Sequence, residues 1–499
     1  MVPQKIIMIS KEAINRLKSK KLFNKLQKTF KAKGFELYNP YQVDGVKWMN
    51  EREMNKEMFH PGGILADECG LGKTVQTLAT MWANRVEKTL IVAPQCVLKQ
   101  WYVMAKKFFP KAYVKIHHGN IRAKTEKELE GYFKKEAIII TTYGMIVNGR
   151  KTKKTPEPVN SILQSVTWDR VVADEIHYLR NPRAKQTVSF RQLKAKIVWG
   201  LTGTPVQNNI RDLKTIYQCL KFPDYLLEDN SSYYSELNSR YILRRTKDEV
   251  VDMIGEMPEI EVNIVETPFR HDYERKLYND TANQIFTELK KGHVDSMFIL
   301  ELYLRLRQVC IHPQVMLDGL AKKFGIPAFE WLEVSTKFQV IGEMMDGHRD
   351  EKTLVFCYFK KEMDMLEKYL GGLGWSVFRI DGSRNIAERT ADILAAKKST
   401  EPTVMLIQIS AGAVGMNLQF ASRTYFTSPN WNPSVEIQAI ARTHRIGQTR
   451  SVVATKIVIK EDDIIEDLIL SKQIYKREIM ARVLNDVSLV ENGERMCIE

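Results

Sequence analysis

The chain has 499 residues, 44% hydrophobic and 27% charged, which is ordinary for a globular protein of about three domains with large cores. Its 75 Lys and Arg against 60 Asp and Glu leave a net charge of +15, a surplus that favours a polyanionic partner, nucleic acid before an acidic membrane surface. No signal peptide and no run near the roughly 20 apolar residues of a membrane helix can be read, and six scattered cysteines without a Cys-x-x-Cys pair argue against a zinc module or disulfide framework, so a reduced intracellular protein is expected.

In chain order, residues 11–33 place Ile14, Leu17, Leu22, Leu26 and Phe30 at helical spacing, with Lys18, Lys21, Lys25 and Lys28 on the other side. This predicts a basic helical extension over residues 1–37 whose face could touch phosphates, although a solvated face of a packing helix is the commoner reading of such a pattern. From residue 38 a βα alternation begins, with buried strands predicted at Thr89–Ala93, Ile138–Ile140, Val171–Ala173 and Lys196–Trp199. Continuous apolar runs of this kind, alternating with helical stretches, argue a parallel sheet covered on both faces. Lys151–Pro158 reads as a basic surface loop broken by prolines. Residues 207–330 read as long helices without strand alternation, for example Glu301–Arg307. The βα pattern resumes near residue 335, with strands predicted at Thr353–Phe356, Ser376–Ile380 and Val404–Ile407. The fold expected is therefore α/β, with two parallel-sheet lobes and helical insertions. Lobe one spans 38–245 with a helical protrusion from about 207, a linker and helical insertion span 246–330, lobe two spans 331–470, and a helical tail spans 471–499.

The first lobe carries Asp67-Glu68-Cys69-Gly70-Leu71-Gly72-Lys73-Thr74. A phosphate loop needs glycines, so that backbone N–H groups approach the phosphates, a Lys to neutralise them and a hydroxyl for Mg²⁺. Gly70, Gly72, Lys73 and Thr74 supply these, although Asp67 stands where the generic pattern has Gly. Farther on, Asp174 and Glu175 end a predicted strand. Adjacent carboxylates there are costly unless they bind something. Beside a phosphate loop, Asp174 suits Mg²⁺ and Glu175 suits activation of a water, which fits hydrolysis better than an acidic helix cap. His177, taken alone, reads as a packing histidine. Late in the chain, Arg442 and Arg445 lie three apart and share a face if the stretch is helical. Arginines of this kind stabilise charge on a transferring phosphate, whereas an isolated pair reads as surface salt bridges.

These segments together resemble the Swi/Snf-type ATPases, the remodeller and DNA-translocase branch of helicase superfamily two. That family writes its phosphate loop as D-E-x-G-L-G-K-T, so Asp67 is regular, and Cys69 stands where Met is usual. Further likenesses are Tyr41–Trp48, Ala93–Trp101, Thr141–Tyr143, Leu201–Asn208, Leu243–Lys247, Leu306–Pro313, Ser410–Leu418, Trp431–Pro433 and Gln438–Gln448. They span roughly residues 38–470. Ser422 and Pro429-Asn430 stand where the family often has acidic residues.

The resemblance implies two RecA-like lobes that use ATP and Mg²⁺. By it, Gln42 reads the adenine, Thr74 and Asp174 hold the metal, and Pro94, Lys99, Gln100, Trp101, Thr142, Ser410 and Trp431 line a DNA track. His177, Thr202, Thr204, Gly415 and Gln438 would couple nucleotide state to DNA grip. The function it implies is ATP-driven movement on double-stranded DNA with little sequence specificity, displacing or remodelling DNA-bound proteins, with a protein roadblock or targeting subunit as further partner. Two alternatives stay open: a strand-separating helicase, for which no wedge is identified, and an ATP-gated clamp of weak turnover.

Overall fold

The computed structural model describes residues 27–28, 31–32, 37, 40–55, 60–147, 161–207, 210–224, 227, 231–254, 257–290, 296–412, 416–445 and 447–484. The basic segment Ile14–Lys25, the loop Lys151–Pro158 and Gly415 lie outside them. The chain divides into one compact unit of Met1–Glu256 with Arg482–Asp486, and a second of Met257–Ala481 with Val487–Glu499.

The first unit holds seven strands: β1 Gly62–Leu65, β2 Lys88–Val92, β3 Tyr113–Ile116, β4 Ala137–Thr141, β5 Thr167–Asp174, β6 Lys194–Leu201 and β7 Ile242–Leu243. Their order is β3-β4-β2-β5-β6-β1-β7, and every pairing is parallel. The central apolar runs Leu90–Val92, Ile138–Ile140 and Val171–Ala173 are fully buried, as strands covered on both faces must be. Register does the positioning. Leu65 pairs with Leu201, Asp174 with Leu201, and Val92 with both Ala173 and Thr141. The loops that follow β1, β2, β4, β5 and β6 therefore leave the sheet side by side, at the carboxyl edge where α/β proteins build their sites. The protrusion begins with helices Ile210–Cys219 and Ser231–Tyr241, and the chain then returns to the sheet as β7.

The second unit has six parallel strands: β8 Ile260–Thr267, β9 Thr353–Cys357, β10 Ser376–Ile380, β11 Thr403–Gln408, β12 Arg423–Phe426 and β13 Val452–Ile459. Their order is β10-β11-β9-β12-β13-β8. Here the strand-free reading of residues 207–330 is corrected, because β8 pairs with β13 over eight residues, from Ile260–Val452 to Thr267–Ile459. β8 is an edge strand with one neighbour, and its inner side chains are only half-buried, so it lacks the apolar run that marks a central strand. Helices Asp272–Lys290, Ser296–Ile311 and Pro313–Phe324 follow and pack on β13 and the closing helix through Leu306, Val309, Met316, Ile459, Ile465 and Ile469. From Met257 on, the insertion is thus part of the second unit's own core. The closing helix runs Ile465–Leu484, unbroken across the tail boundary expected at 470. No described helix is long and apolar enough to cross a membrane, and the described cysteines are all free thiols.

Candidate nucleotide site and its supports

The phosphate loop joins β1 to helix Lys73–Ala83. Gly70 and Gly72 have φ of 104° and 80°, in the region that favours glycine. A Cβ at Gly72 would also meet Gln42 Nε2 at 2.5 Å, so only glycine lets the loop turn into the helix here. No side chain caps that helix, which leaves its first N–H groups and its dipole available to an anion. Lys73 Nζ donates to the Asp67 carbonyl at 2.7 Å, holding its charge over the loop. Thr74, half-buried on the first turn, has the hydroxyl that suits Mg²⁺.

The loop is clamped from a distant stretch of chain. Asp67 is fully buried, and its carboxylate accepts from Arg245 Nε at 2.9 Å, Arg245 Nη2 at 2.6 Å and Gln76 Nε2 at 2.8 Å. Such a bidentate pair is strong and directional. Around it, the Ala66 and Glu68 N–H groups donate to the Leu243 and Arg245 carbonyls, Arg244 donates to the Ala66 and Gly203 carbonyls, and the Lys247 N–H donates to Glu68. Residues 243–247 thus lie along residues 66–68 and fix the loop before any ligand arrives. Gly45 makes room for the clamp, since a Cβ there would meet Gln76 Oε1 at 2.0 Å and Arg245 Nη2 at 2.7 Å. Gln42 is buried and donates to the Leu71 carbonyl at 3.1 Å, placing its amide against the loop.

The second carboxylate segment leaves β5. Asp174 keeps partial exposure and accepts from Trp101 Nε1 at 2.7 Å. Burial, with the Glu175 carboxylate beside it, pushes its carboxyl up to about 6, the signature of a desolvated anion that a cation would relieve. Glu175 has φ 54°, a left-handed conformation that costs a non-glycine residue about 1 kcal/mol or more. From that bend, Glu175 Oε2 lies 3.3 Å from His177 Nδ1, and the same ring nitrogen lies 3.0 Å from Thr202 Oγ1. Thr202 Oγ1 in turn accepts from the Thr204 N–H at 3.1 Å. Glu175, His177, Thr202 and Thr204 therefore form one buried polar chain between the loops after β5 and β6. Cys69 closes the ring of loops, because a Cβ on Gly203 would meet its Sγ at 2.7 Å.

The residues expected on a DNA track divide. Lys99 and Gln100 are exposed, while Pro94 and Thr142 are buried. Trp101 is 1% exposed, so the expectation that it faces DNA is corrected. Its helix Leu98–Phe108 buries Leu98, Trp101, Ala105 and Phe108, an amphipathic spacing that puts the indole inward. In the second unit Ser410 is exposed, and Trp431 is half-buried against Tyr303.

The arginine segment differs from its helical expectation. The helix Pro433–Ile440 ends before it, and residues 441–445 form turns. The Ile440 carbonyl accepts from the Thr443 and His444 N–H groups and from Thr443 Oγ1, and the Ala441 carbonyl accepts from Arg445 Nε. Arg442 is buried and Arg445 half-exposed, so they do not form one exposed helical pair. Gln438 is also buried, its amide nitrogen without a hydrogen-bond partner among the described residues. Of the two departures, Ser422 donates to Glu351, and the Asn430 N–H donates to Glu436 at 2.6 Å, so both serve the second unit's framework.

Residues 41–315 match the SNF2-related domain and residues 336–447 the helicase conserved C-terminal domain. The chain is 29% identical over 449 residues to the CHD3-type chromatin-remodeling factor CHR7 of Arabidopsis thaliana, covering 84% of this chain and 35% of that protein. It is 28% identical over 477 residues to the probable global transactivator of Orgyia pseudotsugata multicapsid polyhedrosis virus, covering 90% of this chain and 92% of that protein. The Sulfolobus solfataricus SWI2/SNF2 ATPase core solved in complex with dsDNA is 26% identical, with a TM-score of 0.37 and coverage of 90% of this chain and 98% of that one. Against larger relatives the chain spans under half their length, 35% of CHR7 and 43% of an uncharacterized ATP-dependent helicase of Mycoplasma pneumoniae. With a phosphate loop, a paired carboxylate strand and a domain match over more than half its residues, the chain belongs to the SNF2-related family of helicase-like ATPases.

Proposed function

We propose that this protein hydrolyses ATP to move along double-stranded DNA and, in moving, displaces or repositions proteins bound there. The observation that carries the reading is the convergence of the phosphate loop, Asp174-Glu175 and Thr202–Thr204 at one sheet edge, linked through His177. A nucleotide store needs the loop; a second, strained carboxylate wired to a neighbouring loop suits a hydrolase that passes on its state. Lys73 and the helix N-terminus hold the phosphates, and Gln42 lies against the loop where a base would be read. Thr74 and Asp174 hold Mg²⁺, which screens phosphate charge when bound. Glu175 orients and deprotonates the attacking water, while Arg442 and Arg445 stabilise charge on the transferring phosphate.

Exposed Lys99 and Gln100, together with the net charge of +15, suit contact with a phosphate backbone, which gives salt-sensitive binding without sequence preference. The name of the plant relative, a chromatin-remodeling factor, supports protein displacement on DNA as the output and a DNA-associated compartment as the setting. The test is steady-state ATP hydrolysis by wild type and Lys73→Ala, alone and with double-stranded DNA, single-stranded DNA or RNA duplex. Stimulation by double-stranded DNA that Lys73→Ala abolishes is expected. Stimulation by single strands or RNA instead would move the protein to strand separation, and absence of turnover throughout would leave an ATP-gated clamp.

A further inference from the structure

Asp174 is held by two side chains of the first unit, one from helix Leu98–Phe108 and one from the turn after β4. Trp101 Nε1 donates to its carboxylate at 2.7 Å, and Tyr143 Oη donates to its backbone carbonyl at 2.7 Å. One bond sets the direction of the carboxylate. The other sets the peptide plane that leads into the left-handed bend at Glu175. The two donors do not stand in isolation. Trp101 lies on the inner face of helix Leu98–Phe108, whose first turn presents Lys99 and Gln100 to solvent. Tyr143 lies in the turn after β4, whose next residue, Gly144, is exposed.

The buried indoles of the first unit differ in their acceptors: Trp168 donates to the Leu163 carbonyl at 2.9 Å and Trp199 to the buried Glu53 carboxylate at 2.8 Å. Trp101 instead uses a partly exposed carboxylate at the site itself. Tyr143 also stacks on Tyr178 with ring centroids 5.5 Å apart and planes 7° from parallel, and Tyr178 stacks on His177 at 5.2 Å. A shift of the turn at 142–146 therefore reaches both carboxylates, Asp174 through the Tyr143 hydroxyl and Glu175 through the aromatic stack and His177.

We propose that Trp101 and Tyr143 are positioning residues through which DNA engagement at the Lys99-Gln100 helix turn and the 142–146 turn sets the geometry of Asp174 and Glu175, so that turnover rises when DNA is bound. The proposal rests on the double-stranded DNA reading above. It differs from a packing role because packing needs the rings, whereas positioning needs the indole N–H and the phenol O–H.

The test uses the full chain with Trp101→Phe and Tyr143→Phe, each keeping a ring and losing one donor. The readouts are kcat and KM for ATP with and without double-stranded DNA, DNA affinity by fluorescence anisotropy, and the thermal midpoint. The expected result is a fall of about tenfold in the ratio of DNA-stimulated to basal kcat, the scale of one lost hydrogen bond to a charged or strained group. KM for ATP and DNA affinity are expected to stay within about twofold, since neither donor touches the phosphate loop or the surface. An unchanged ratio in Tyr143→Phe and in a folded Trp101→Phe overturns the proposal while leaving the translocase reading intact. Should Trp101→Phe fail to fold, Tyr143→Phe decides alone, because it removes a single oxygen and keeps the stack. A wild type that double-stranded DNA does not stimulate overturns both this proposal and the reading it rests on.

Discussion

The loops at the carboxyl edge of the first sheet and the loop after β12 in the second unit both carry candidate functional residues, and they are supported in different ways. In the first unit the loops hold one another, through Asp67 with Arg245 and Gln76, Trp101 with Asp174, and His177 with Thr202. In the second unit the loop after β12 rests on ions buried beneath it. Lys337 and Glu466, both fully buried, pair at 2.6 Å, and Lys337 also donates to the Thr427 and Ile457 carbonyls. Ser428 donates to Glu466 and accepts from Arg307, and Lys456 pairs with Glu436 at 2.7 Å under the helix that leads to Arg442. The first unit has its own buried pair, Glu53 with Arg170 at 2.5 Å, but it ties helix Tyr41–Met54 to β5, to β6 through Trp199 and to the far end of helix Lys73–Ala83 through Asn84, away from the phosphate loop itself. The lesson is about where damage goes. Links between loops tune a site, whereas buried ions under a loop set whether the framework stands.

This contrast can be broken at its strongest point first. Glu175→Gln removes the proposed base and keeps the volume, so kcat is expected to fall by about a thousandfold or more while nucleotide affinity and thermal midpoint hold. A retained kcat would remove Glu175 from the chemistry. In the second unit the effect is expected on stability instead. Lys337→Met leaves Glu466 buried without its cation and should cost about 3–5 kcal/mol in denaturant unfolding, most of it recovered in Lys337→Met with Glu466→Leu. If the double variant is as unstable as the single one, the ions do more than neutralise each other.

Arg245→Ala should fall between these two. It strips Asp67 of its bidentate partner, and the loop should lose about 2 kcal/mol of nucleotide binding, read as a rise in the ATP Kd of roughly thirtyfold, with Arg245→Lys restoring part of it. An unchanged Kd would mean that the clamp is structural only. The smallest effect is one of pH. Burial, with Lys361 nearby, lowers His312 to about 3, and its Nδ1 accepts from the Gln314 N–H at 3.1 Å as a helix cap. The neutral ring is favoured only in the folded state. Stability is therefore flat above the unfolded value near 6.5 and falls as pH drops below it, by about 1 kcal/mol between pH 6.5 and 5.5. His312→Asn keeps a capping side chain and should flatten that part of the profile, measured by denaturant midpoints across pH.

Much of this site was legible because its chemistry is local. Gly72-Lys73-Thr74 and Asp174-Glu175 each place their reacting groups within a few residues, and buried parallel strands announce themselves as apolar runs. What escaped reading is long-range or set by the environment. Arg245 and Asp67 are 178 positions apart, and no spacing rule joins them. β8 is an edge strand with one partner, so its half-buried residues carried no clear signal between long helices. At Arg442–Arg445 the chain leaves the helix in a turn held by backbone bonds to Ile440 and by Arg445 on the Ala441 carbonyl, which periodicity cannot foresee. Trp101 had a usable signal that motif resemblance outweighed: Leu98, Trp101, Ala105 and Phe108 share one helical face, and that face is buried.

The most direct test of the central claim is displacement of a third strand from a DNA triplex, followed with ATP, with a non-hydrolysable analogue, and with Lys73→Ala. The account predicts ATP-dependent release of the third strand by wild type alone, with the underlying duplex left paired. Release without hydrolysis, or separation of the duplex strands themselves, would contradict it.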